Sequence, residues 1–389
     1  MGTITPQRDG APLHEQPVSQ GFEAKNMTAR RDTLLLSTPP PADCFLWPAS
    51  DCPLAEHGAY ATEEDVPTID LSAATKGGSP EEIETLVDAI GAACKGTGFF
   101  QVISHGVGKN LMKQVHEAAR DFFELPEDAK LAASRAPGSS FGFAGLSAGR
   151  FKSKCPWKET LSMHYSPLSN IDEDEEHLRK IYKLDAAYKK YRALHSTYCE
   201  AMDKLGKQLI ELIARSLGLP PDSFGKYFAQ GFSIYRMNMY PPSSHYSRVL
   251  GTGPHTDPCA LTILHQDELG GLQIYKNSTW MTVRPRFDAL VVSIGDILEV
   301  LCNHRYKSAK HRAVVHAYRP RHSIAFFINP DADEVIRPLP ELLGDESCSQ
   351  RHMEFRWGQL LEFTQRHYRS DLHTLEAFED YLKKASSQS

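Results

Sequence analysis

Between about Phe232 and Pro330 the chain is a succession of short apolar runs separated by turn signals, and this stretch constrains the fold most. The runs are Leu261–Leu264, Leu272–Tyr275, Trp280–Val283, Leu290–Ile294, Ala313–Val315 and Ile324–Ile328. Turns fall between them at Gly270-Gly271, Lys276-Asn277-Ser278 and Gly295-Asp296. Each run is shorter than an ordinary helix and rich in β-branched and aromatic residues, which reads as strand. Many short strands with regular turns predict a sandwich or a jelly roll.

Helical patterns flank this region. Ser79 reads as an N-cap, with Pro80 at the first helical position and Glu82 closing a capping box. Ile83, Leu86, Val87, Ile90 and Cys94 follow at helical spacing, and Gly96 and Gly98 end the helix. Val66–Leu71 and Phe99–Ile103 read as short strands, and Lys109–Phe123 as a second amphipathic helix that stops before Pro126. A long helical region is expected from about Asp172 to Leu217, where Tyr188 to Leu212 carry a three- and four-residue apolar stripe of the kind that packs a core. Two further helices are expected over about Trp357–Arg369 and Leu372–Lys384. The first 65 residues are rich in Pro, Ser, Thr and Ala, and Ser37-Thr38-Pro39-Pro40-Pro41 cannot form helix or central strand, so a flexible arm is expected there. Phe45, Leu46 and Trp47 are apolar enough for part of that arm to pack.

Composition excludes several classes. At 41% apolar residues the chain can bury a sizeable core. A net charge of -6 argues against a nucleic-acid partner held by a basic surface. No apolar run is long enough for a membrane span, and the N-terminus lacks a signal-peptide pattern, so a soluble cytoplasmic protein is expected. The eight cysteines form no C-x-x-C pair, which disfavours a zinc ribbon or redox dithiol and fits reduced thiols.

His255-Thr256-Asp257 carries the chemistry. In an extended segment residues two apart share a face, so the imidazole and the carboxylate can converge on one ion. On spacing alone a third ligand could be His265, His304, His311, His316 or His322. His311 begins the strand His311–Val315, which can return it to the mouth of the barrel. Two histidines and one carboxylate leave three positions of an octahedral metal open, the pattern of non-haem Fe(II) oxygenases. Ten residues beyond His311, Arg321-His322-Ser323 places a guanidinium and a hydroxyl on one strand face. An arginine entering an apolar strand calls for an anionic partner, and a bound dicarboxylate supplies one. A zinc hydrolase could use the same three ligands; Arg321 and Ser323 argue against it.

With these residues in view, the sequence resembles the plant 2-oxoglutarate/Fe(II) dioxygenases over about Val66 to Tyr381, and within them the gibberellin 20-oxidases. The resemblance is carried by Lys154–Ser162 (K-C-P-W-K-E-T-L-S), Asn238–Pro242 (N-M-Y-P-P), Leu250–His255, Leu261–Asp267, Arg305–Ser308, His311–Val315 and Phe363–Tyr368. It implies an α+β fold with a mainly β core, a double-stranded β-helix (jelly roll) flanked by N- and C-terminal helices. It also implies an organisation of arm (1–65), helical and strand region (66–230), jelly-roll core (231–331) and C-terminal helices (332–389). It assigns the iron to His255, Asp257 and His311, and 2-oxoglutarate to Arg321, Ser323, Tyr240 and Asn238. The cofactors implied are Fe(II), 2-oxoglutarate, O2 and ascorbate as reductant. The activity implied is oxidation of a gibberellin precursor at carbon-20, by a monomer acting on a small diterpenoid with no nucleic-acid or membrane partner. Oxidation at another gibberellin position, oxidation of another terpenoid or flavonoid, and an inactive ligand-binding homologue are the alternatives. Trp157 and Lys158, in the diagnostic segment, are expected at the substrate. The chain departs from the family pattern at Cys155 (usually Leu), Ser243 (usually Cys), His304 (usually Gly), Lys310 (usually Leu) and Ile297–Val300. None of these is a proposed iron or 2-oxoglutarate ligand.

Overall fold

The computed structural model describes residues 43–48, 52, 59–136, 139–146, 154–167, 179, 185–229, 231–343, 353–367 and 374–386. The strands are β1 Ala59–Tyr60, β2 Thr68–Asp70, β3 Phe99–Ile103, β4 Gly142–Ala144, β5 Glu159–Tyr165, β6 Ser233–Tyr240, β7 Leu250–His255, β8 Leu261–Gln266, β9 Leu272–Lys276, β10 Thr279–Thr282, β11 Leu290–Ile294, β12 His311–Val314, β13 Arg321–Ile328, β14 Val335–Ile336 and β15 Phe355–Arg356. The helices are α1 Ser72–Lys76, α2 Pro80–Gly96, α3 Lys109–Phe123, α4 Glu127–Leu131, α5 Asp185–Ser216, α6 Gly225–Phe228, α7 Asp296–Leu301, α8 Trp357–His367 and α9 Thr374–Ser386.

Two sheets form the β core. One has five strands in the order β1-β10-β9-β12-β7, and the other eight in the order β2-β3-β11-β8-β13-β6-β5-β4. Strands adjacent in space are mostly distant in sequence, as a double-stranded β-helix requires: β13 lies between β8 and β6, and β12 between β9 and β7. The eight-stranded sheet is covered by helices, so β3, β11 and β8 are buried on nearly every residue and read as continuous apolar runs rather than alternating ones. Helix α5 lies so close to β13 that a Cβ at Gly206 would fall 2.2 Å from the Ile328 side chain, a contact that only glycine avoids.

The capping box of α2 forms as the sequence predicts: Ser79 accepts from the Glu82 amide and the Glu82 carboxylate accepts from the Ser79 amide. Helix α3 keeps the bounds read from its pattern. The long helix α5 starts at Asp185 rather than near Asp172; of the earlier residues of that expected helix only 179 is described. Helix α7 stands where the sequence shows only a turn, because six residues are too few for helical periodicity to emerge. Residues 1–42 of the expected arm lie outside the described residues. Phe45 and Trp47 are buried, and the Trp47 amide donates to the Arg248 carbonyl at 2.8 Å. No disulfide joins the seven described cysteines, and no described helix is long and apolar enough to cross a membrane.

Candidate metal and co-substrate site

A cavity of about 310 Å³ opens between the two sheets. Strand alternation decides what faces it. Arg236, Asn238 and Tyr240 on β6 and Arg321, Ser323, Ala325 and Phe327 on β13 are alternate residues, and all of them line the cavity.

His255 ends β7 and His311 begins β12, and the antiparallel register sets them directly opposite each other. The pairing shifts between His311 and Ala313, a β-irregularity of the kind that re-aims side chains at barrel rims. Asp257 follows two residues after His255. Its Oδ1 lies 3.5 Å from His255 Nε2 and 3.6 Å from His311 Nε2, and one donor atom from each of the three residues falls within 4.8 Å of the others. The rings are held in the ligating tautomer. His255 Nδ1 donates to the Gly253 carbonyl at 2.9 Å and His311 Nδ1 to the Ala309 carbonyl at 3.1 Å, which turns both Nε2 lone pairs inward. Thr262 donates its hydroxyl to Asp257 Oδ2 at 2.6 Å, leaving Oδ1 for the metal. Burial works against the Asp257 charge, but the two histidines outweigh it and hold the carboxyl well below its ordinary range. Burial, with His311 adding to it, lowers the pKa of His255, while at His311 the Asp257 charge outweighs burial and raises it, so a metal held there would displace that proton. These donors fit a divalent iron with open positions.

The second cluster lies where β6 and β13 pair. Arg321 is opposite Tyr240, and Ser323 is opposite Asn238. Arg321 is 2% exposed, and its guanidinium stacks on the Tyr240 ring with its carbon 4.4 Å from the centroid. Tyr240 and Asn238 both reach the Ser323 hydroxyl, at 3.3 and 3.2 Å. Gly271 lets this cluster form: it has φ +95°, and a Cβ there would stand 2.8 Å from Arg321 Nε. Among the described residues no carboxylate lies within ion-pair distance of Arg321. Its Nε, Asn238 Oδ1 and Gln266 Nε2 are buried without a hydrogen-bond partner. A buried guanidinium in that state calls for an anion, and the distal carboxylate of a 2-oxo diacid is an anion of the right shape.

The structure thus brings together all seven residues predicted for iron and co-substrate. It separates the two predicted for substrate. Lys158 lines the cavity. Trp157 is turned away from it, packing edge-on against Phe45 at 5.1 Å and donating from its indole nitrogen to the Pro241 carbonyl at 3.0 Å. Thr262 on Asp257, and Arg135 and Arg236 on the cavity wall, lie outside the H-x-D and R-x-S patterns; strand parity is the one signal that could have put Arg236 on the face of Asn238.

A facial set of two histidines and one carboxylate, beside a buried cradle for a dicarboxylate, defines a non-haem iron oxygenase that uses 2-oxoglutarate. Residues 231–330 match the 2OG-Fe(II) oxygenase superfamily, and residues 66–185 match the region described as non-haem dioxygenase in morphine synthesis N-terminal. Gibberellin 20 oxidase 1 of Oryza sativa subsp. japonica is 43% identical over 87% of this chain and 90% of its own. Gibberellin 20 oxidase 1 of Arabidopsis thaliana is 41% identical over 87% and 88%. Among solved structures, JOX2 in complex with 2OG, Fe and JA superposes with a TM-score of 0.73 at 30% identity, covering 90% of this chain and 97% of that one. The chain belongs to the 2OG-Fe(II) oxygenase superfamily and groups within it with the plant gibberellin 20 oxidases.

Proposed function

We propose that the protein oxidises a gibberellin precursor at carbon-20, coupling each step to conversion of 2-oxoglutarate and O2 into succinate and CO2. The observation that carries this reading is the likeness to plant gibberellin 20 oxidases over 87% of a chain that brings His255, Asp257 and His311 together. Bound Fe(II) with 2-oxoglutarate supplies the oxidising power for an unactivated C–H bond. The chain's own residues do the rest. His255, Asp257 and His311 would hold the Fe(II). Arg321, Ser323 and Tyr240 fix the distal carboxylate, with Asn238 beside them. The apolar walls, among them Leu264, Val291 and Leu272, exclude water and present the substrate carbon to the metal. A rigid diterpenoid acid suits walls of this kind, and we place the enzyme in the cytoplasm, acting as a monomer with ascorbate as reductant.

The test is anaerobic loading with Fe(II) and 2-oxoglutarate, followed by O2 and a panel of gibberellin precursors, with succinate and products read by mass spectrometry. Succinate formed in step with oxidation at carbon-20 is expected. Oxidation confined to another ring position would replace the carbon-20 assignment, and iron-loaded folded protein that yields no succinate with any precursor would overturn the reading.

A further inference from the structure

The wall segment 154–158 has two faces, and the one turned from the cavity carries chemistry that substrate oxidation does not use. Lys154, Pro156 and Lys158 line the cavity. The alternate residues Cys155 and Trp157 turn the other way, into a small apolar cluster with Phe45, Tyr240, Val249 and Val315, and Cys44 packs against the same cluster. Residues 43–47 lie along the back of the wall and are tied to it at several points. The Cys155 amide donates to the Cys44 carbonyl at 2.8 Å, Lys154 Nζ donates to the Asp43 carbonyl at 3.1 Å, and Phe45 meets Trp157 edge-on at 5.1 Å.

A backbone N–H···O=C bond between two residues of neighbouring segments sets their Cα atoms about 5–6 Å apart, inside the span of about 4.4–6.8 Å that a disulfide bridges. The side chains converge as well: the Cys44 and Cys155 thiols are hydrogen-bonded to each other. Neither is bridged in this structure. Cys44 is half-buried and open to a soluble reagent, whereas Cys155 is fully buried and is reached only through Cys44. Cys94 and Cys302 are also neighbours, but both are fully buried and no soluble reagent reaches either. Cys155 is one of the positions at which the chain departs from the family pattern. The usual leucine would fill the same apolar cluster and could not pair.

We propose that Cys44 and Cys155 are a covalent modification site, forming a reversible disulfide that fastens the N-terminal segment to the back of the cavity wall. The co-reactant is an oxidised low-molecular-weight thiol. The Cys44 thiolate attacks one sulfur of the small disulfide, giving a mixed disulfide and releasing one small thiol. The Cys155 thiolate then attacks Cys44 Sγ and expels the second. The two protein thiols give up two electrons and two protons, and the small disulfide takes both. Burial, and then Cys155, raise the Cys44 thiol above its ordinary value, so thiolate is scarce and exchange is slow. The site answers a sustained rise in oxidant rather than a brief one. It stands whatever acid or terpenoid the cavity accepts.

The experiment takes the reduced full-length protein, loaded anaerobically with Fe(II) and 2-oxoglutarate, and incubates it with excess oxidised glutathione. Remaining thiols are alkylated, and the digest is mapped by mass spectrometry. A Cys44–Cys155 cross-link reversed by dithiothreitol is expected, with Cys94 and Cys302 still thiols. The cross-linked protein should unfold several degrees higher, because the bond closes a long loop of the unfolded chain. Amide exchange in residues 43–47 and 154–158 should slow. Cys155→Ser should stop the reaction at a glutathione adduct on Cys44, and Cys44→Ser should leave Cys155 unmodified; both should lose the rise in unfolding temperature. Glutathione that stays on Cys44 of the native protein while Cys155 remains a thiol would overturn the proposal. So would a bond from Cys44 to Cys52, or an unmodified native pair at oxidant levels that cross-link the urea-unfolded chain. A cross-link that forms without changing unfolding or amide exchange would show that it fastens nothing.

Discussion

At one end of the cavity Arg321, Ser323, Asn238 and Tyr240 occupy facing positions on two paired strands. At the other, Arg135, Ser162 and Arg236 come from a loop and two strands spread over about a hundred residues of chain. The first group is fixed by backbone register, so each side chain's place follows from the pairing of β6 with β13. The second depends on where the segment after α4 settles on β5. An end that holds a co-substrate of constant shape is well served by strand register. A cluster assembled from a loop and two strands can shift its parts independently, since loops vary without disturbing the sheet.

The largest effect that separates metal binding from everything else is expected at Asp257. Asp257→Ala removes the one anionic ligand and leaves two neutral imidazoles. Iron should be lost, and with it succinate formation, while the fold remains. Iron content and circular dichroism check this together, and retention of a full iron complement would remove Asp257 from the ligand set. Next comes the co-substrate end. Arg321→Met should raise the KM for 2-oxoglutarate by about ten- to a hundredfold, because a charge-assisted hydrogen-bond pair to a buried carboxylate is lost. Iron affinity should be unchanged, as Arg321 touches no metal ligand. Arg321→Lys keeps the charge but not the planar fork and should fall between the two. A variant that lost iron and co-substrate together would show that the two clusters are one coupled unit.

The contrast between the ends also explains what could be read from the chain. His255 and Asp257 were legible because ligand geometry imposes close spacing and strand parity on residue types that are rare in apolar segments, whereas His311 was one of five candidate histidines and only the family resemblance singled it out. Arg321 and Ser323 were legible for the same reason, being two apart at the head of an apolar strand. Arg135 was not, because nothing local distinguishes it from a solvated surface arginine; its place depends on a tertiary approach to Ser162. The β core was legible in its short apolar runs, but their order within the sheets was not, since β13 meets β8 and β6 only by long crossovers. Helix α7 was missed because its brevity hid it among strands.

Two departures from the family pattern prove to be one feature. His304 pairs through Nδ1 with Glu299 Oε1, and the other oxygen of Glu299 accepts the Ser308 amide at 2.6 Å. Glu299 is buried, so its imidazole partner compensates for a carboxylate that burial disfavours. His304 has φ 65°, a left-handed conformation that suits glycine. His304→Gly therefore relieves strain of about 1 kcal/mol and removes a hydrogen bond to a buried charge worth about 1.5–3 kcal/mol. A net destabilisation of about 0.5–2 kcal/mol is expected. Kinetic constants for both substrates should be unchanged, because neither residue lines the cavity. Denaturant unfolding reads the sign: a more stable His304→Gly protein would mean that backbone strain outweighs the pair.

The smallest expected effect lies within a single dipeptide and sharpens the distinction between wall and scaffold. Trp157 and Lys158 share the diagnostic segment, yet only Lys158 lines the cavity. Trp157→Phe preserves most of the contact with Phe45 and loses the indole hydrogen bond to Pro241, a change of about 1 kcal/mol in stability. The Pro241 carbonyl follows Tyr240, so that hydrogen bond anchors the end of β6 and touches the substrate only through the scaffold. Substrate KM should stay level in Trp157→Phe and rise a fewfold in Lys158→Ala, because only Lys158 reaches the cavity. Steady-state kinetics on one precursor with both variants orders them. A KM rise in Trp157→Phe equal to that in Lys158→Ala would mean that the whole segment moves onto the substrate as it binds, and the boundary between wall and scaffold would then lie behind Trp157.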